Sequence, residues 1–249
     1  MSGSLLRSEL LKVRSVRTTL GLTAAMAGLV AFAVLLHGFT LDVEFVAGAD
    51  GQARVLEPGQ LIGSLFGAVA GALIVTTEYR HGTIRTTFIV RPTRARVVGA
   101  KAVVALGVGA LLGLLANAIA LGGTWLALAL RGVAWSVSTE DALGVLFGGT
   151  VGVALWAGLG LGLGGVIRNQ VGAVLGLAAW LLFLERLFLG DLADLTVSRY
   201  LPGAAGAALT GQVPVDAGWL SVPAGGLLLA AYAVAAMTAG TLTVARRDV

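Results

Sequence analysis

Residues 143–189 read LGVLFGGTVGVALWAGLGLGLGGVI (143–167), RNQ (168–170) and VGAVLGLAAWLLFLERLFL (171–189). The first run carries no charge and is longer than the roughly 20 apolar residues that cross a ~30 Å hydrocarbon core. Inside that core an unpaired peptide group has no water to bond, so one such run can span only as a helix. The second run is nearly as long, and only Arg168, Asn169 and Gln170 separate the two. That spacing leaves room for a turn and nothing more. The two runs are therefore expected to cross a bilayer as a tight helical hairpin.

Outward from this hairpin the pattern repeats. Apolar blocks at 18–38, 61–77 and 102–130 precede it and one at 223–244 follows. The block at 102–130 is long enough to tilt or to begin before the bilayer. No linker and no internal repeat divides the chain, so the expectation is one all-α, polytopic membrane domain over 1–249 with six transmembrane helices. Composition agrees: of 249 residues, 57% are hydrophobic and 12% charged, against about a quarter charged in soluble domains. The first block follows basic residues and precedes Ala47-Gly48-Ala49, which imitates a cleavable signal peptide. A signal's apolar region is usually ~7–15 residues, however, and this block is longer, so an uncleaved first span is expected.

Charge sets the orientation. Lysines and arginines concentrate on cytoplasmic loops of membrane proteins. Thirteen of the seventeen here lie before the first span, between spans two and three, at Arg168, or after the last span. Arg54, Arg131 and Arg199 lie on the other side, together with acids such as Asp42, Glu44, Glu57, Glu140 and Asp216. Both termini are thus expected in the cytoplasm. The net charge of +4 is accounted for by topology, and nucleic acid is not needed to explain it. Cysteine is absent and the histidines are only His37 and His81, which removes disulfides, thiolate sites and a histidine metal cluster. No Walker sequence and no Ser/His/Asp or Cys/His set is present, so the chain is expected to be neither an ATPase nor another enzyme and to bind no cofactor or metal.

Four groups of residues stand out. Within 1–17, Leu6, Leu10 and Val13 recur at helical spacing among Arg7, Lys12 and Arg14, which fits an interfacial amphipathic helix on anionic lipid; a solvated basic tail is the alternative. Gly63, Gly67 and Gly71 on span two, and Gly144, Gly148 and Gly152 on span four, form small-residue ridges that let backbones approach, within the chain or between copies. Gly160, Gly162 and Gly165 formally match a dinucleotide fingerprint but follow no strand, so that match is spurious. Polar groups are costly inside spans, which singles out Asn117 and Thr124 on span three and Glu185 and Arg186 late in span five. The last pair reads either as an outward gate or as residues snorkelling to headgroups.

The fourth group is the basic loop after span two. Glu78-Tyr79-Arg80-His81-Gly82-Thr83-Ile84-Arg85 leads through Phe88 and Arg91 to Pro92, Arg94, Arg96 and Lys101. Ile84 and Phe88 stand one turn apart beside arginines, as in a short amphipathic helix that Pro92 would end; an ordinary positive-inside loop fits the composition as well. This box resembles that of the ABC type-2 permeases, the membrane subunits of ATP-binding-cassette exporters. The lead-in SELLKVRSVRTT and the closing Arg246-Arg247-Asp248-Val249 are similar to that family's ends. The resemblance implies a permease subunit in a bacterial inner membrane, paired with a second copy or close paralogue. It also implies two separate cytoplasmic ATPases that bind the ATP and Mg. Glu78, Tyr79, Arg80, Gly82, Thr83, Ile84, Arg85, Phe88 and Arg91 would then form the coupling helix that enters a cleft on the ATPase. Residues 190–222 would dip back into the membrane as short helices. A non-transporting membrane scaffold or sensor is the alternative function.

Overall fold

The structure is a computed structural model that describes residues 3–15, 17–83, 94–187, 195–211 and 218–246. Every regular element among them is a helix: α1 (Gly3–Ser15), α2 (Arg17–Thr40), α3 (Val43–Val46), α4 (Ala49–Arg80) and α5 (Arg94–Leu130) come first. After them come α6 (Thr139–Ile167), α7 (Gln170–Leu184, running on through Glu185–Leu187), α8 (Leu195–Ser198), α9 (Pro202–Ala208) and α10 (Val222–Arg246). Five helices, α2, α4, α5, α6 and α10, are long and apolar enough to cross a membrane. These make the chain a multi-pass membrane protein. The expected fifth span appears as α7, which is apolar but shorter than the others.

α4 is the central column. It packs along α6, α5 and α2, while α10 lies on the far side of α6. One core cluster joins Met26, Val30 and Val34 of α2 to Val55 of α4, Leu112 of α5 and Val153 of α6. A second joins Ala68 of α4, Trp156 of α6, Leu177 of α7, Leu209 and Leu229. Lipid tails are as apolar as these side chains, so close dispersion contact and not water exclusion must hold the helices together. Small residues supply that closeness. A methyl on Gly67 would meet Val153 at 2.7 Å, and one on Gly71 would run into the Ala157 carbonyl. The second ridge meets both the segment after α9 and α4, since a methyl on Gly144 would meet the Thr210 carbonyl at 2.8 Å and one on Gly152 would meet Gln60 Nε2 at 2.6 Å. Both ridges thus pack within the chain.

Helix limits differ from the apolar blocks. α4 begins at Ala49, three turns before the block at 61–77. Its polar start is held because buried Gln52 donates to the carbonyls of Val46 (3.2 Å) and Ala134 (2.9 Å) and accepts from the Ser136 amide (3.0 Å). A hydropathy window cannot register a polar residue whose bonds are all met. α5 likewise begins at Arg94, ahead of 102. Two π-helical turns interrupt the regular helices, at Gly144–Gly148 and at Trp180–Leu184.

Candidate functional site at the end of α4

Successive residues of a helix point about 100° apart, so three in a row reach three different neighbours. The end of α4 uses this. Glu78 turns toward α1 and α5, Tyr79 toward the α6–α7 turn, and Arg80 toward the start of α7.

Glu78 belongs to a node of four charges. Its Oε1 accepts from Lys12 Nζ (2.7 Å) and Lys101 Nζ (2.6 Å). Glu9 Oε1 accepts from Lys12 and Glu9 Oε2 from Lys101, each at 2.7 Å. Glu9, Glu78 and Lys101 are buried, whereas Lys12 is about half exposed at the rim. Two carboxylates and two ammonium groups cancel, which makes burial tolerable: an ion pair taken from water survives only with close geometry and further hydrogen bonds. Burial by itself would push the Glu9 carboxyl up, but Lys101 and Lys12 overcome it and hold it below the usual range. Burial would likewise lower Lys12, and hydrogen bonds to Glu78 and Glu9 raise it instead.

Tyr79 lies under the guanidinium of Arg168, 5.3 Å from ring centroid to Cζ. Arg168 ends α6 with a left-handed φ of 57°, and its Nη2 reaches back to the Thr243 carbonyl of α10. The adjacent Asn169 caps α7 by accepting from the Gly172 amide at 2.9 Å. Arg80 Nη1 donates to Gln170 Oε1 at 3.4 Å. The three-residue turn of the hairpin is therefore a clasp on the end of α4.

α1 docks through both apolar and charged contacts. Leu5 is buried against Val97 and Ala100 of α5, and Glu9 is buried in the node, while Leu10 and Leu11 are exposed. Of the rest of the apolar stripe, Leu6 and Val13 are half-buried, and Val13 lines a cavity. Beside the node lies a cavity of about 620 Å³, between α1, α2, α4, α5 and the start of α7. Of the expected coupling residues, Glu78, Tyr79 and Arg80 are engaged as described and Gly82 ends the helix with a φ of 68°. Thr83 lines the cavity mouth. Ile84, Arg85, Phe88 and Arg91 lie outside the described residues.

The other expected site residues are elsewhere. Asn117 and Thr124 are fully buried in the bundle, each bonding a carbonyl of its own helix: Asn117 Nδ2 to Gly113 at 2.8 Å, Thr124 Oγ1 to Ala120 at 2.7 Å. Neither lines the large cavity. Glu185 is 2% exposed, and its Oε1 accepts the Ala204 amide at 2.9 Å, which pins α9 under the end of α7. Its carboxylate is thus bonded within the protein. The side chain of Arg186 is outside the described residues. α9, opened by Pro202, packs on α10, where a methyl on Gly225 would meet the Ala205 carbonyl at 2.7 Å.

Glu9, Arg168 and Gln170 were not singled out from sequence. A signal for Glu9 exists: it is the one acid in a basic lead-in, and Lys101 is a lone lysine at the head of an apolar block. Opposite charges that must both be buried gain by meeting. Compared with known proteins, the chain matches no family model and no curated protein.

Proposed function

We propose that this chain is the transmembrane permease subunit of an ABC exporter, moving a hydrophobic or amphipathic substrate outward with ATP hydrolysed by a separate cytoplasmic ATPase. In this reading the domain has six spans, a pairing with a second permease copy, and both termini on the cytoplasmic side of a bacterial inner membrane. α7 with its last turn, residues 170–187, is ~27 Å long at 1.5 Å per residue, which supports a sixth crossing. α1 lies at the inner interface, its exposed Leu10 and Leu11 toward lipid. α8 and α9 are the short helices that dip back from outside.

The observation that carries the reading is the divergence of Glu78, Tyr79 and Arg80 into three contacts at one helix end. A push on the segment that follows would pass at once to α1, α5 and the α6–α7 hairpin. That is what a permease without its own nucleotide site needs. The segment also offers an apolar pair, Ile84 and Phe88, beside Arg85 and Arg91, and buried aromatic and arginine side chains commonly dominate interfaces.

The test is co-purification of the tagged permease with a candidate cytoplasmic ABC ATPase from the same genome, together with ATP turnover of the complex. Phe88→Ala should weaken association about tenfold or more, as expected when an interface anchor of ~2 kcal/mol is truncated. Phe88→Asp should abolish it while the permease still inserts. Retention of both partner and turnover in Phe88→Asp would overturn the assignment and favour a scaffold.

A further inference from the structure

The cavity beside the charge node has two unlike ends. Leu22 of α2, Leu73 and Ile74 of α4 and Val108 of α5 form an apolar wall. Lys12, Arg80 and His81 stand at its polar end. The carboxylates there, Glu9 and Glu78, are answered by Lys12 and Lys101, so that four-charge node sums to zero, and among the described residues Arg80 remains as surplus positive charge. Leu73 is seven residues before Arg80 on α4, so the apolar wall reaches ~10 Å from the polar end. A volume of about 620 Å³ is in the range that holds a small organic ligand.

From this juxtaposition we infer that the cavity binds a phosphate-bearing amphiphile, its headgroup at Arg80 and its chain along Leu22, Leu73 and Val108. Neither end suffices alone. The wall favours a chain over free phosphate, and the surplus cation favours an anionic headgroup over a zwitterionic one of equal chain length. The site stands on the cavity and its charges and does not depend on the exporter reading.

Thermal unfolding of the purified full chain in detergent tests it, because a ligand that binds only the folded state stabilises it as ln(1 + [L]/Kd), so the concentration that gives a fixed rise in midpoint ranks affinities. The probes are a short-chain phosphatidylglycerol, phosphatidylcholine with the same chains, and inorganic phosphate. Phosphatidylglycerol should give the same rise at about tenfold lower concentration than phosphatidylcholine, and inorganic phosphate should leave the midpoint unchanged in that range. Arg80→Gln should remove the discrimination between the two lipids. Leu73→Trp should raise the concentration needed for that rise about tenfold by filling the cavity, with Leu22→Trp as its second form, while Leu227→Trp on the exposed face of α10 should change nothing. Equal concentrations of the two lipids for the same rise overturn the inference, as does a matching response to inorganic phosphate alone. So does undiminished discrimination in Arg80→Gln, a variant at an exposed side chain that decides the matter even if neither tryptophan variant folds.

Discussion

Lys101 touches both carboxylates of the node, and its removal leaves Glu9 and Glu78 buried with only Lys12 between them. Breaking a buried pair by deleting one partner typically costs ~3–5 kcal/mol, whereas replacing both by apolar groups is often near neutral. Lys101→Met should therefore destabilise the protein markedly, and adding Glu9→Met should recover much of the loss. A simple sum of the two single effects, measured by denaturation in detergent, would mean that the residues do not interact. The docking of α1 should depend on pH at both extremes. Glu9 is held below its ordinary value, so its contribution is present above about 4.3 and is lost as pH falls through the folded value. Lys12 is raised, so its contribution is present below about 10.4 and is lost as pH rises through the folded value. A nitroxide on Leu10→Cys, placed in a chain with no native cysteine, should show constant mobility between about pH 5 and 10. Its mobility should increase beyond either end, and a flat profile down to about pH 2 would exclude Glu9 as a docking group.

At the scale of elements, glycine position decides tolerance. Gly107 and Gly109 sit two residues apart on α5, yet a methyl on Gly107 meets nothing within 4 Å while one on Gly109 meets the Ala154 backbone at 2.8 Å. Gly109→Leu, like Gly67→Leu, should reduce the yield of folded protein sharply; Gly107→Leu should leave it unchanged or slightly higher, since leucine is the better helix former. Size-exclusion profiles of the three variants decide this, and equal profiles would place the α5–α6 contact elsewhere. The α7–α9 junction allows a similar contrast. Glu185→Gln keeps an acceptor for the Ala204 amide, whereas Glu185→Ala leaves that buried donor unmet, at a cost of ~1–3 kcal/mol. Only the alanine variant should lower the unfolding midpoint. If the glutamine variant folds normally but loses transport, the carboxylate has a role beyond holding α9.

For the whole molecule, the decisive measurement is topology. Reporter fusions after Arg17, Arg94 and Val249 should report cytoplasm, and those after Gly51 and Gly211 the exterior. A C-terminus outside would mean an odd number of crossings, with α7 as the helix that fails to cross. Arg168 precedes α7 and would stay on the cytoplasmic side, whereas Arg199 would move to that side from the exterior.

What sequence alone determined is the all-helical, multi-pass class, because runs such as 143–167 have no other way to satisfy their peptide groups in hydrocarbon. It also marked Glu78, Tyr79 and Arg80 as unusual, since a charged box beside an apolar block is legible in one dimension. Helix ends were less legible. Gln52 is polar in composition and yet buried, and its three hydrogen bonds come from residues close by and eighty positions away. Tertiary structure alone decided which charges meet: Glu9 lies 92 residues from Lys101, and Lys12 lies 66 from Glu78. A hydropathy profile averages over neighbours in the chain, whereas an ion pair needs two atoms within about 3 Å across the fold. For the same reason the face of α1 that docks is the one with Leu5 and Glu9, where Leu5 packs on α5 and Glu9 meets the buried Lys101.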